Sequence, residues 1–329
     1  MRKSISVVIP NYNGKDLLEK NLPFLYTALQ TVQTDFEIII SDDCSTDESV
    51  SFLKTYYPSI LLVENLFNQG FSGNINAGIR IASKELVFLL NTDIKLTPEY
   101  FLPLFSYFDQ DSTFGVMGRI IALDSDKIQD TAKYPQYKNG NLKPTLNYLP
   151  KNSSNPSYLP TLFLSGANAL VDRQKLLEVG CFQELFNPFY WEDVELGIKA
   201  WRLGYVCYYE HSAICRHPTS ATIGKYNKKK KVALISRRNK ILFHYLHLEG
   251  MTLLAWMSLY FFKALFRGLT FNGSYLKALG LFMRQYSKAS KEKTIFKDKQ
   301  KTQETASLSL KKVCQTIQAM IGEQPIERF

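Results

Sequence analysis

Short apolar runs recur through the first two-thirds of the chain, and each is closed by a polar or turn-forming cluster. Ser4–Pro10 reads as a strand ended by Pro10 and the turn residues Asn11-Tyr12-Asn13-Gly14. Phe36–Ile40 reads as a second strand, running into Ser41-Asp42-Asp43-Cys44-Ser45-Thr46-Asp47. Ile60–Glu64 is a third and Leu86–Leu90 a fourth. Unbroken apolar runs of this length mark strands buried on both faces. Between them the apolar residues fall near helical period. Leu17, Leu18, Leu22, Leu25 and Leu29 predict a helix over about Asp16–Gln30, and a second helix is expected from about Glu48 to Tyr57. A loop over Asn65–Gly73 leads to a third helix ending near Ser83. Strands alternating with helices predict a mostly parallel sheet of right-handed crossovers, hence a Rossmann-like α/β domain.

Further along, the pattern predicts a helix from Pro98 to about Asp109 and a strand near Phe114–Leu123. Asp124–Pro160 is polar and rich in Pro, Asn, Lys and Tyr, and reads as a long mobile loop over a site. Phe163–Val171 resumes strand character around Ser165-Gly166-Ala167. A helix over Arg173–Val179 is stopped by Gly180. The aromatic loop Phe182–Tyr190 precedes a helix that opens with Trp191-Glu192-Asp193-Val194-Glu195-Leu196 and ends at Gly204. Tyr205–Tyr209 is a further strand. Past His217 come a basic run at Lys228–Lys231, a helix through Arg237-Arg238-Asn239, the aromatic and apolar stretch Ile241–Phe271, and a charged amphipathic tail over Phe296–Arg328. The change in pattern divides the chain into 1–222 and a helical, basic 223–329.

Charge sharpens that division. The net charge of +10 over 329 residues is unevenly spread. Met1–Glu210 carries 18 Lys and Arg against 24 Asp and Glu, whereas His211–Phe329 carries 22 against 6. The basic part interleaves with aromatics and predicts an anionic surface partner. Nucleic acid is disfavoured, because no recognised module is present and the first two-thirds are acidic. Met251–Phe266 contains 16 residues with one charge, short of the roughly 20 a spanning helix needs. It fits either an interfacial helix or one packed on the catalytic domain or a second subunit. The five cysteines are scattered and odd in number, with no CxxC pair. They indicate neither a disulfide framework nor a zinc site, and a reducing, cytoplasmic setting fits. No GxGxxG follows the first strand and no GxxxxGK[ST] occurs, which disfavours dinucleotide oxidoreductases and P-loop enzymes.

The candidate chemistry lies at the strand ends. Asn91-Thr92-Asp93 follows the buried run Leu86–Leu90, at the sheet edge where open α/β folds bind ligands. Asp93 is a hard oxygen ligand suited to Mg²⁺ or Mn²⁺. The same residues also suit a plain strand end before a helix beginning at Thr97-Pro98-Glu99. Pro10–Gly14, Asp42–Asp47 and Glu192–Glu195 repeat the theme. Several such clusters on one edge suggest a cleft for a ligand with hydrogen-bond donors and a metal-bridged diphosphate.

In order, these motifs resemble those of family 2 glycosyltransferases with the A-type nucleotide-diphospho-sugar transferase fold. Val7–Gly14 resembles the family's opening strand, and Asp42–Ser49 its DDGSTDxS turn. Asn68–Gly78 resembles the NxGFxxGxNxGI loop of the bacterial rhamnosyltransferase-like branch. Asn91-Thr92-Asp93 stands at the DxD-type metal motif, with Asn91 in place of the first acid. Ser165-Gly166-Ala167 and Trp191–Leu196 resemble acceptor-side motifs. The resemblance covers about residues 1–220.

The resemblance implies an inverting transfer of a sugar from a UDP- or dTDP-sugar to a polysaccharide or lipid-linked glycan, at the cytoplasmic face of the cell membrane. It implies that Asp42 and Asp43 bind nucleobase and ribose, with Pro10, Asn11 and Tyr12 lining the same pocket. Gly70 and Asn74 would belong to the loop that wraps the donor. Asn91, Thr92 and Asp93 would meet the diphosphate, with Asp93 and His217 on Mg²⁺ or Mn²⁺. Asp193 would be the general base, with Glu192 as its neighbour. Peripheral membrane contact through the C-terminal region would suit a lipid-linked acceptor.

Overall fold

The computed structural model describes residues 2–218, 229–269, 273–302 and 308–329. Lys228 of the basic run, Phe271 and the division at 222/223 lie outside them. The strands are β1 (Ile5–Asn11), β2 (Phe36–Asp42), β3 (Leu61–Glu64), β4 (Leu86–Leu90), β5 (Lys95–Leu96), β6 (Thr113–Ala122), β7 (Ile128–Asp130), β8 (Gln136–Lys138), β9 (Asn141–Lys143), β10 (Tyr148–Pro150), β11 (Leu159–Pro160), β12 (Asn168–Asp172), β13 (Val206–His217) and β14 (Ile326–Arg328). The helices are α1 (Lys15–Val32), α2 (Ser49–Tyr56), α3 (Gly70–Ile81), α4 (Arg173–Glu178), α5 (Glu192–Arg202), α6 (Lys229–His247), α7 (Gly250–Leu269), α8 (Ser274–Met283), α9 (Tyr286–Thr302) and α10 (Leu310–Ile321).

The main sheet runs β11-β13-β6-β12-β4-β1-β2-β3, with β5 beside β13 and β7 beside β6. β4, β1, β2 and β3 are parallel, as the apolar runs require. β12 is antiparallel to both β4 and β6, so the sheet is mixed though mostly parallel. Alternate residues of each strand feed two cores. Val7, Ile9, Ile38, Ile40 and Phe88 pack with Leu18, Leu22 and Leu25 of α1. Val8, Ile39, Val87 and Leu89 pack on the other face with Ile75 and Ile79 of α3, in a core that reaches Trp201 of α5, Ile241 and Phe243 of α6 and Ile317 of α10. Each fully buried Leu, Ile or Phe contributes about 1.5–3 kcal/mol. The C-terminal helices are tied into the same core as the sheet. Arg202 of α5 donates to Glu249 at 3.0 Å and to the Leu308 carbonyl at 2.9 Å.

Four stretches differ from the sequence expectation. The segment expected as an α-helix to Asp109 is a 3-10 helix over Leu102–Asp109. Asp124–Pro160 is a set of short strands rather than a structureless loop: Ala132, Leu142 and Tyr148 are buried in it, and β10 pairs with the distant β14. The strand expected from Phe163 begins only at Asn168, leaving 161–167 irregular. Helix α3 starts at Gly70, inside the expected loop, because Asp43 accepts the Gln69 and Gly70 N–H groups and caps it.

Candidate active site

The ends of β1 and β2 carry the first cluster. Asn11 Nδ2 donates to Asp42 Oδ1 at 2.7 Å, and Ser45 donates from Oγ to Oδ1 at 2.7 Å and from its N–H to Oδ2 at 2.9 Å. Both Asp42 oxygens therefore close the turn that follows β2. Asp43 accepts from Gln69 N at 2.8 Å and Gly70 N at 2.9 Å. Burial raises its pKa, and those two N–H groups hold it down in part. Asn74 accepts from Ser41 Oγ at 2.6 Å and donates to the Asn11 carbonyl at 3.2 Å. Pro10 lies opposite Ser41 in the ladder, and Tyr12 stands exposed at the rim. Gly70 has φ +72°, and a side chain there would meet Asn187. One network thus holds Asn11, Asp42, Asp43, Gly70 and Asn74.

The second cluster lies where β4 ends. Asn91 N–H donates to the Ala167 carbonyl at 3.2 Å, and the Thr92 carbonyl accepts from Asn21 at 2.8 Å. Asp93 is 9% exposed, and its Oδ2 lies 3.3 Å from His217 Nε2 at the end of β13. His217 Nδ1 lies 2.8 Å from Gln129 Oε1, while Gln129 Nε2 donates to the His217 carbonyl at 3.1 Å. The amide oxygen can only accept, so Nδ1 carries the proton. Asp93 and His217, the ring oriented by Gln129 behind it, are the residues here that could hold a cation. Among the described residues no group of three or more His, Cys, Asp or Glu could hold a metal ion.

The third cluster is the start of α5. Tyr190 and Trp191 take left-handed conformations, φ 71° and 77°, to turn the chain into it. Helix α6 holds that turn. Asn239 Nδ2 donates to the carbonyls of Phe186, Phe189 and Tyr190 at 2.7–2.9 Å, and Arg238 donates to those of Phe186 and Asn187. Trp191 packs on Phe243 and His244, Phe189 is buried, and Tyr190 is 40% exposed.

Asp193 lies against Gly166. A Cβ on Gly166 would sit 2.9 Å from Asp193 Oδ1 and 3.3 Å from Phe71, so only glycine leaves room for the carboxylate. Oδ1 is buried and makes no hydrogen bond. Burial raises the pKa of Asp193; the Gly166 N–H opposes this, Asp130 adds to it and Lys133 opposes it again. Glu192 is also raised, by burial and then by the charge of Asp193. Glu195 differs. Burial disfavours its charge, but Lys199 at 3.3 Å and His247 outweigh that and lower its pKa. It ties α5 to α6 rather than facing the site.

Ala167, bonded to Asn91, directly follows Gly166, so the Asp93 and Asp193 clusters flank one junction of β4 and β12. The structure adds residues the sequence did not single out. Gln129 orients His217, and Arg238 and Asn239 position the turn before α5. Arg119 of β6 donates to His211 Nε2 at 2.8 Å, and His211 Nδ1 meets Tyr209 Oη at 2.9 Å. Burial and then Arg119 push the His211 pKa down to about 4, so the ring is neutral. Arg119 follows the apolar Phe114–Met117 within its strand, and that break in pattern was the one available signal.

The fold and this edge define a glycosyltransferase of the A-type fold. The chain matches the family model for glycosyl transferase family 2 over residues 6–180, and it belongs to that family. It is 32% identical over 121 residues to poly(ribitol-phosphate) beta-glucosyltransferase of Bacillus spizizenii, covering 35% of this chain and 19% of that protein. It is 34% identical over 100 residues to validoxylamine A glucosyltransferase of Streptomyces hygroscopicus subsp. limoneus, covering 29% and 22%. The matched stretch spans about a fifth of each of these relatives. Among solved structures, a mannosyltransferase from Pyrobaculum calidifontis in complex with GDP-Man and Mn²⁺ has TM-score 0.52 at 15% identity, covering 90% of this chain and 79% of that one. S. aureus TarS 1–349 in complex with UDP-GlcNAc has TM-score 0.53 at 15% identity, covering 76% and 68%. These likenesses show the fold.

Proposed function

We propose that the enzyme is an inverting, metal-assisted glycosyltransferase using a nucleoside-diphosphate sugar, a UDP- or dTDP-sugar, with Asp193 as general base. The observation that carries this reading is the buried, unbonded Oδ1 of Asp193 over Gly166, beside the junction that also positions Asp93. The acceptor hydroxyl gives its proton to Asp193 as its oxygen bonds to the anomeric carbon. The bond from that carbon to the diphosphate oxygen breaks, and the electron pair leaves with the nucleoside diphosphate. The raised pKa of Asp193 suits a base, since a carboxylate that binds its proton more firmly abstracts it better.

Asp93 and His217 would hold Mg²⁺ or Mn²⁺, with phosphate oxygens and water completing the shell. Bound there, the ion would neutralise charge growing on the leaving group. The mannosyltransferase and TarS structures, in complex with GDP-Man and Mn²⁺ and with UDP-GlcNAc, support a nucleotide-sugar donor and a divalent cation. Tyr12 at the rim and the turn held by Asp42 and Asp43 would bound the nucleotide pocket. A polysaccharide or lipid-linked glycan at the cytoplasmic membrane face is the acceptor class we favour.

The test is a panel of UDP-, dTDP- and GDP-sugars with Mn²⁺ and the purified enzyme, reading nucleoside diphosphate release beside calorimetric donor binding. Release that depends on Mn²⁺ with one donor supports the reading. Binding without release would instead make the chain a sugar-nucleotide-binding protein that has kept the fold.

A further inference from the structure

Helix α7 is packed on one side only. Trp256, Tyr260 and Ala264 form its inner stripe and are buried. Opposite them Met251, Leu254, Leu259, Phe262, Phe266 and Leu269 are 61–81% exposed. At 3.6 residues per turn these six positions occupy an arc of about 140°. A soluble helix ordinarily turns polar residues outward, and an apolar arc this wide needs an occupant. Lys263 lies about 40° beyond one edge of the arc. Next door, α8 exposes Leu276 and Met283 beside Lys277 and Arg284. Residues 229–302 contain sixteen Lys and Arg against three acids. Two of those acids are already paired within the protein, Glu249 with Arg202 and Asp298 with Lys301. No described helix is long and apolar enough to cross a membrane.

From this arrangement we infer that the outer face of α7, with the exposed edge of α8, docks in the interface of a bilayer carrying anionic headgroups. The apolar arc enters the acyl boundary and the cations meet the headgroups. Charge decides between occupants. A second copy would bring the same excess of positive charge against itself, whereas an anionic lipid surface neutralises it. The surface is also close to the chemistry. On the inner side of α7 the Trp256 ring stacks on His244 at 4.3 Å, and His244 lies 5.9 Å from Trp191, which leads into Glu192 and Asp193. One helix, α6, therefore separates the docking face from the start of α5. The value of this placement to a lipid-linked acceptor rests on the transferase reading; docking itself does not.

Flotation of the full chain with vesicles tests it without donor or acceptor, so its failure and a failure of turnover are separate results. Binding is expected to vesicles of phosphatidylglycerol in phosphatidylcholine, weaker binding to phosphatidylcholine alone, and weakening by salt. Phe262→Asp with Phe266→Asp should lower the bound fraction on the order of tenfold or more. Phe262→Trp preserves the apolar face, and its fluorescence should be quenched by lipids brominated near the headgroup. Absence of both flotation and quenching overturns the proposal. So does a wild-type dimer in sedimentation velocity that the double aspartate variant dissociates.

Discussion

Two pairs of acidic residues stand at the site, and the fold treats them oppositely. Asp42 and Asp43 are buried with their oxygens bonded to Asn11, Ser45, Gln69 and Gly70. Glu192 is buried and Asp193 half-buried, yet the buried atoms Glu192 Oε2 and Asp193 Oδ1 have no hydrogen bond. An unbonded buried carboxylate oxygen costs stability on the order of 1–3 kcal/mol. The first pair spends its charge on the shape of the cleft. In the second pair burial disfavours the charge and raises both pKa values. A carboxylate's place in an acidic motif therefore says little about its task, whereas its hydrogen-bond partners say much.

The sharpest way to break this contrast is to remove one member of each pair. Asp193→Asn should lower kcat by about 10²–10⁴-fold, the usual worth of a positioned base, while donor affinity in calorimetry stays within a few-fold. The same variant should melt at a higher temperature than wild type at pH 8, because burial penalises the charge that asparagine lacks. Full transfer by Asp193→Asn would end the base assignment. Asp42→Ala should do the reverse. Losing the anchor of three hydrogen bonds should cost about 2–4 kcal/mol in urea unfolding. An Asp42→Ala protein with wild-type stability would show that the donor-side turn does not depend on its carboxylate.

The Asp93 and His217 corner lies between these extremes, with Asp93 Oδ2 3.3 Å from His217 Nε2 and the ring held from behind by Gln129. Gln129→Leu leaves Asp93 and His217 in place but frees the His217 ring. The Mn²⁺ concentration for half-maximal rate should rise about 10–100-fold, with less change in kcat at saturating Mn²⁺. Electron paramagnetic titration of Mn²⁺ in the presence of nucleoside diphosphate checks the binding directly. An unchanged midpoint would make Gln129 merely a packing residue.

How much of this was readable in the residues depends on how local each feature is. β1, β2 and β4 were legible because strands buried on both faces leave unbroken apolar runs. The turn at Asp42–Asp47 and the start of α5 were legible as acidic motifs, and the family resemblance ordered them. The strands between Asp124 and Pro160 were hidden because they are two or three residues long and pair with partners as distant as β14. Gln129 and Arg119 were hidden for a related reason. Each matters only through a residue about ninety positions away. Gly166 reads as part of a strand and of an acceptor-side motif, but its use in making room for Asp193 exists only once α5 is in place. The α7 face was visible as an apolar stretch, while its division into a buried stripe and an exposed arc came from packing against α6 and α8.

The smallest predicted effect is also the most diagnostic, because its sign is fixed. Burial raises the folded-state pKa of Asp193 above its unfolded value. Its favourable contribution to folding is therefore complete below the unfolded pKa and is lost as pH rises through the folded one. Activity moves the other way, since a base must be ionised to take a proton. The acid limb of kcat/KM should thus lie well above the ordinary aspartate value of about 3.9. Neighbours should move it in opposite directions. Asp130 raises the Asp193 pKa, so Asp130→Asn should shift the limb to lower pH. Lys133, bonded to Asp130 and Asn147, lowers it, so Lys133→Met should shift the limb to higher pH. Both shifts should be modest and should weaken in high salt. A limb that stays fixed in both variants would place the titrating group elsewhere, with Glu192 the next to replace. A pair of opposite shifts would tie the pH dependence to Asp193, and with it the claim that this acid, unlike Asp42, is kept for chemistry.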